Sequence, residues 1–249
     1  MKKLLVIVIS ILAAGQLLAQ DLTLDEIISK NLSAIGQDKL MNIQTIKITG
    51  KMIQSGMEFQ IIQYQKNPDL ARQEIEIQGM SIIAVVNGET GWTINPMMTG
   101  SSDPQDLSDE MVKSLIEESQ NDPVVNWDNP FYKWKEDEIK VELAGKEEMA
   151  GTPVYNLKFT FKNDNIYNYL VDADRFVVLR QMTTKTEQGQ TYDQEGKYSD
   201  FTEVDGILYP VKTEILINGQ ITTTFTMDKC EFDIPIDDSI FKKPAKNED

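Results

Sequence analysis

The chain has 249 residues, 41% of them hydrophobic and 26% charged, with 14 Gly and 9 Pro, a balance that specifies a folded core and excludes collagenous and disordered classes. It contains no histidine and a single cysteine, Cys230, which removes imidazole bases, Ser-His-Asp and Cys-His machinery, histidine-containing zinc sites and an intramolecular disulfide. The net charge of −16, from 40 acidic and 24 basic side chains without a Lys/Arg cluster, argues against a nucleic-acid partner, because phosphate binding needs a basic face.

Residues 1–20 begin with Lys2 and Lys3, continue through an apolar run from Leu4 to Ala14, and end in small residues before Asp21. This is the pattern of a secretory signal peptide cleaved after Ala19 or Gln20. The run is shorter than the roughly 20 residues of a membrane span, and no cysteine stands at the cut for lipid attachment. The expectation is a released periplasmic protein that is not integral to a membrane.

Leu24, Ile27, Ile28, Leu32 and Ile35 recur at helical spacing, opened by a Thr23/Glu26 capping box and stopped by Gly36; they predict an amphipathic helix over 22–35 that packs on a sheet. From Thr45 the period becomes two. Ile46, Ile48 and Met52, a Ser55-Gly56 turn, then Met57, Phe59 and Ile61 predict a β-hairpin. Turns at Lys66–Asp69 and Asn87-Gly88 bound further strands over 72–78 and 82–86, and the first meander ends at Trp92–Asn95. The period breaks between Pro96 and Asp137, where Ser108 caps a helix carrying Met111, Leu115 and Ile116. Seven strand candidates follow between Ile139 and Phe232, with no helix among them. This order predicts an α+β, mainly β fold: one unclosed antiparallel β half-barrel with helices plugging its concave side. Residues 21–244 form its single domain, and 245–249 a frayed tail.

No phosphate loop, dinucleotide motif or calcium loop occurs, so no cofactor and no metal site is expected. Carboxylates are abundant and a glycosidase needs only two of them in a cleft, but nearly all lie on polar strand phases or in turns, so no catalytic residue is assigned. Cys230 reads as a packed thiol. More distinctive is a supply of soft and bulky apolar side chains: Met57, Phe59, Ile61, Ile75, Ile77, Tyr155, Leu157, Phe159 and Met182 on strands, with Met97 and Met98 nearby. Such surfaces suit varied apolar ligands; an ordinary core draws on the same residues.

Three segments carry a resemblance. Lys66-Asn67-Pro68-Asp69-Leu70-Ala71-Arg72, then Gly88-Glu89-Thr90-Gly91-Trp92-Thr93-Ile94-Asn95-Pro96, then Asp238-Ser239-Ile240-Phe241-Lys242-Lys243-Pro244 follow the order and spacing of motifs in the LolA-like lipoprotein-carrier superfamily. The chain resembles that family over about residues 22–244. The resemblance implies a half-barrel holding lipid or lipoprotein acyl chains, with envelope donor and acceptor proteins as partners and no catalysis. It places Trp92 beside the cavity with the apolar residues above. Where studied carriers have an arginine directly before the motif proline, this chain has Asn67, so Lys66 or Arg72 is expected to take its part in ligand uptake or release. The alternative is an envelope interaction or sensor module whose barrel is filled by its own side chains. In a carrier, the segment 106–119 or the helix 22–35 serves as the lid.

Overall fold

The computed structural model describes residues 22–124, 126–187 and 189–245. The expected leader, and residues 246–249 of the expected tail, lie outside the described residues. Among the described residues thirteen strands form one antiparallel sheet. The first meander comprises β1 (Thr45–Gln54), β2 (Met57–Lys66), β3 (Leu70–Ile77), β4 (Met80–Asn87), β5 (Thr90–Ile94) and the short β6 (Gln105–Asp106); the second comprises β7 (Lys140–Met149), β8 (Thr152–Thr160), β9 (Ile166–Asp172), β10 (Val178–Glu187), β11 (Gln190–Val204), β12 (Ile207–Ile217) and β13 (Gln220–Phe232). β1 pairs with both β2 and β13, so the meanders run outward in opposite directions and end in the edge strands β6 and β7. The sheet is therefore unclosed, as expected.

Local chemistry explains the meander. Ser55-Gly56, Gln78-Gly79, Ala150-Gly151, Asp205-Gly206 and Asn218-Gly219 each place two successive residues at positive φ, the backbone that matches a two-residue hairpin loop to the right-handed twist of its strands. Where the meanders join, the pairing of β1 with β13 shifts register between Thr49 and Gly50. A Cβ at Gly50 would stand 3.0 Å from the Phe225 ring, so only glycine allows this close approach.

The helices α1 (Leu24–Ile35) and α2 (Gln37–Leu40) precede the strands, and α3 (Pro96–Thr99), α4 (Asp109–Gln120) and α5 (Pro130–Lys133) lie between β5 and β7. α1 starts at the expected capping box, with Thr23 and Glu26 each bonded to the other's backbone, and stops at left-handed Gly36. Its Ile27 and Ile28 pack with Phe131 of α5 onto Leu157, Phe159, Tyr167 and Tyr169. The aromatic rings meet edge to face, Phe159 and Tyr169 at 4.9 Å and 79°, an arrangement favoured by their quadrupoles. A second cluster joins Leu40 of α2 to Ile46, Ile48 and Ile207 near the junction of the meanders. A third lies on the opposite face of the first meander, where Val85 and Trp92 pack with Phe241 of a terminal 3₁₀ turn, Asp238–Phe241. No helix among the described residues is long and apolar enough to cross a membrane.

Candidate functional site

Directly paired residues in a sheet share a face. In the first meander Gln63 pairs with Gln73, Gln73 with Ala84 and Ala84 with Thr93, while Gln65 pairs with Ala71, Ala71 with Val86 and Val86 with Gly91. A Cβ at Gly91 would stand 3.1 Å from Val112 of α4 and 2.9 Å from Leu107, so this face is the one beneath α4. Between β2–β4 and α4 lies an open cavity of about 480 Å³. Gln63, Gln65 and Gln73 mark its sheet side, Leu115 and Ile116 its helix side, and Trp127 closes one flank.

The cavity exists because α4 is held at its ends and stands away from the sheet between them. At its N-terminus, capped by Ser108, the preceding Leu107 N–H donates to the Gly91 carbonyl of β5 at 2.9 Å, and Val112 is the one buried residue of the helix. At the C-terminus, Asn121 is tied to the second meander: its side-chain amide donates to the Tyr167 hydroxyl at 3.2 Å, and its carbonyl accepts from the Tyr169 hydroxyl at 2.8 Å and from Gln181 Nε2 at 3.2 Å. Lys185 pairs with Glu118 at 2.8 Å. The segment after α4 is fixed by Trp127 Nε1, which donates to the Ile43 carbonyl at 3.1 Å. Leu115 and Ile116, mid-helix, are left facing the cavity.

Burial governs the ionisable groups around this anchor. The Asp122 carboxyl is pushed up to about 6 by desolvation, against the opposing hydrogen bond from the Val124 N–H. The hydroxyls of Tyr169 and Tyr198 are held well above their ordinary range, chiefly by the same loss of water. Elsewhere, burial raises the Cys230 thiol to about 12, which leaves it protonated and unreactive. Among the described residues no group of three His, Cys, Asp or Glu side chains could hold a metal ion.

The residues expected around a ligand are distributed over both faces. Met57, Phe59, Ile61, Ile75 and Ile77 share the face of Gln63 and Gln73 but lie farther along the strands; Phe59 and Ile61 are buried, and Met57 is 53% exposed. Met97 and Met98 are on α3, 59% and 83% exposed. Tyr155, Leu157 and Phe159 belong to the closed core beneath α1 and α5. Met182 pairs with Asn168 and Glu195 and lines a shallow polar recess with them, on the strand phase opposite to Gln181. Trp92 pairs with Val85 and is turned away from α4, where its indole N–H donates to the Phe241 carbonyl at 3.0 Å. Lys66 and Arg72 border the cavity, yet their charged ends engage the terminal segment. Lys66 pairs with Asp238, and Arg72 donates to the Ile240 carbonyl at 2.6 Å and pairs with Glu74.

Gln63, Gln65, Gln73 and Trp127 were not singled out by the sequence. A signal was present: along β2 the apolar phase Met57, Phe59, Ile61 continues as Gln63 and Gln65, and polar residues in an inward phase mark a place where the interior is not sealed.

No family model and no curated protein matches the chain. Solved structures do. One of the DUF1329 family from Desulfovibrio piger is 16% identical, covers 87% of this chain and 97% of its own, and superposes with a TM-score of 0.59. A LolA superfamily protein from Nitrosomonas europaea is 16% identical over 89% and 98%, with a TM-score of 0.55. The chain has a LolA-type fold. A domain from Vibrio parahaemolyticus ascribed to outer membrane lipoprotein sorting shares this LolA-type fold at 12% identity over 87% and 97%, with a TM-score of 0.53.

Proposed function

We propose that this protein is a non-catalytic periplasmic carrier that receives lipid or lipoprotein acyl chains in the cavity between β2–β4 and α4, after export by the leader of residues 1–20. The observation that carries the reading is the space itself. Protein interiors are close-packed, whereas Leu115 and Ile116 here face about 480 Å³ of open volume, within the usual range of ligand sites, about 300–1,000 Å³. Each methylene moved from water into such a site contributes about 0.8 kcal/mol, so binding requires no reactive group. The LolA-type fold and its relative ascribed to lipoprotein sorting support the same reading. Admission and release then require α4 to swing about its anchor at Asn121, and envelope donor and acceptor proteins are the partners that prompt the movement.

A second reading, a filled-barrel interaction module, draws on the closed half of the concave side, where Leu157 and Phe159 are fully buried. Uptake of Nile red, a neutral fluorescent apolar probe, separates the two. The mature protein should take it up and copurify with lipid detectable by native mass spectrometry, and Ala84→Phe, which places a ring into the cavity, should abolish uptake in a folded protein. No uptake and no lipid would favour the module.

A further inference from the structure

The cavity is lined by both apolar and polar side chains, and its polar part has a definite character. Gln63, Gln65 and Gln73 stand on its sheet side by the pairing given above, and among the described residues their side-chain amides have no hydrogen-bond partner. Each offers both a donor and an acceptor and carries no charge. Asp69, Glu89 and Asp128 also border the cavity and are exposed, so they stand at its mouth; among the described residues none has an ion-pair partner. The nearby cations do not offset them, because Lys66 is held by Asp238 and Arg72 by Glu74 and the Ile240 carbonyl. The whole chain adds a net charge of −16.

We infer that the cavity selects acyl chains joined to a neutral, hydrogen-bonding head of the amide class, and turns away acyl chains ending in a free carboxylate. This rests on the carrier reading and narrows its cargo. A ligand amide satisfies glutamine donors and acceptors together, whereas a carboxylate can only accept, and it must also pass three like charges at the mouth. Discrimination then comes from a repulsive element as well as an attractive one. The chain lies against Leu115 and Ile116, and the head against the glutamines.

The test uses three probes with one identical chain: dodecanamide, methyl dodecanoate and dodecanoate, each displacing Nile red from the mature protein at neutral pH and low salt. The amide is expected to displace at a concentration at least about tenfold below that of the carboxylate, with the ester between them. Gln63→Leu/Gln73→Leu should abolish most of the amide's advantage over the ester, the effect of losing one or two neutral hydrogen bonds, while Nile red still binds. Independently, Asp69→Asn/Asp128→Asn should improve dodecanoate and leave the amide unchanged. Nile red binding with equal displacement by all three overturns this inference and leaves the carrier reading standing, and so does an amide preference indifferent to both double variants. Failure of Nile red and of every probe to bind overturns both.

Discussion

The guanidinium of Arg72 lies 5.6 Å from the centre of the Trp92 ring, and the two side chains grip consecutive carbonyls of the terminal segment, those of Ile240 and Phe241. Lys66 adds the ion pair to Asp238, Lys243 reaches Asp106 at 2.7 Å, and Phe241 is fully buried beside Val85 and Trp92. The three sequence motifs that carried the resemblance therefore meet in one place, on the face of the sheet opposite the cavity. They form a clasp that fastens residues 238–243 across β3–β5.

The clasp predicts a separation of stability from binding. Phe241→Ala removes a fully buried ring and should cost about 3–5 kcal/mol, measured by urea unfolding. Arg72→Ala should cost less, about 1–2 kcal/mol, through the lost cation–π contact and charged hydrogen bond. At temperatures where these variants remain folded, their affinity for Nile red should be within a factor of about two of the parent. A large loss of affinity with little loss of stability would return Arg72 to a direct part in ligand uptake or release.

A different tryptophan should report the ligand. Trp127 borders the cavity, whereas Trp92 is buried on the other face and Trp134 packs at the edge of the α1–α5 core. With Trp92→Phe/Trp134→Phe, emission from Trp127 should shift on addition of saturating dodecanamide, because the indole exchanges water for hydrocarbon. With Trp127→Phe/Trp134→Phe, emission from Trp92 should stay constant. The reverse pattern would move the ligand site to the outer face.

How much of this was legible in the sequence depends on the range of the interaction concerned. Hairpins with positive φ at positions such as Asn218-Gly219, and the Thr23/Glu26 capping box, are decided by residues adjacent in the chain, and periodicity read them correctly. The phase of Trp92 relative to α4 is decided by Gly91, whose missing Cβ admits Val112, and by Phe241, which lies 149 positions away and accepts the indole hydrogen bond; strand alternation alone gives two faces without saying which one is covered. The cavity was hardest to read. It results from where α4 is anchored, and that anchor pairs Asn121 with tyrosines on β9, more than 40 positions along the chain.

Cys230 should behave as a core residue. With its thiol raised to about 12 and buried, reaction with a disulfide reagent at pH 8 should be negligible in the native protein and complete in denaturant. Rapid native labelling would show that β13 opens locally.

The anchor of α4 also carries a pH dependence. Asp122 follows Asn121 directly and sits among neutral tyrosines on β9, β11 and β12: Tyr169, Tyr198 and Tyr209 each feel its charge. The charges near this end of α4 are Glu117, Glu118 and Lys185, which act on Tyr167. The folded carboxyl is pushed up to about 6, above the ordinary aspartate value of 3.8. Between those values the folded protein retains a proton that the unfolded chain has released, so stability falls as pH rises through this window and levels off above it. The gap corresponds to about 3 kcal/mol, and with the residue partly exposed about 2 kcal/mol is expected. Asp122→Asn keeps the acceptor for the Val124 N–H and removes the charge. It should therefore raise the melting temperature at pH 7.5 by about 4–8 °C and leave it nearly unchanged at pH 4. On the carrier reading, in which α4 swings about Asn121, the parent should also release Nile red faster at pH 7.5 than at pH 5, and the variant should lose that difference. Melting curves of parent and variant that run parallel from pH 4 to 7.5 would show that Asp122 is solvated and that α4 is held without regard to its charge.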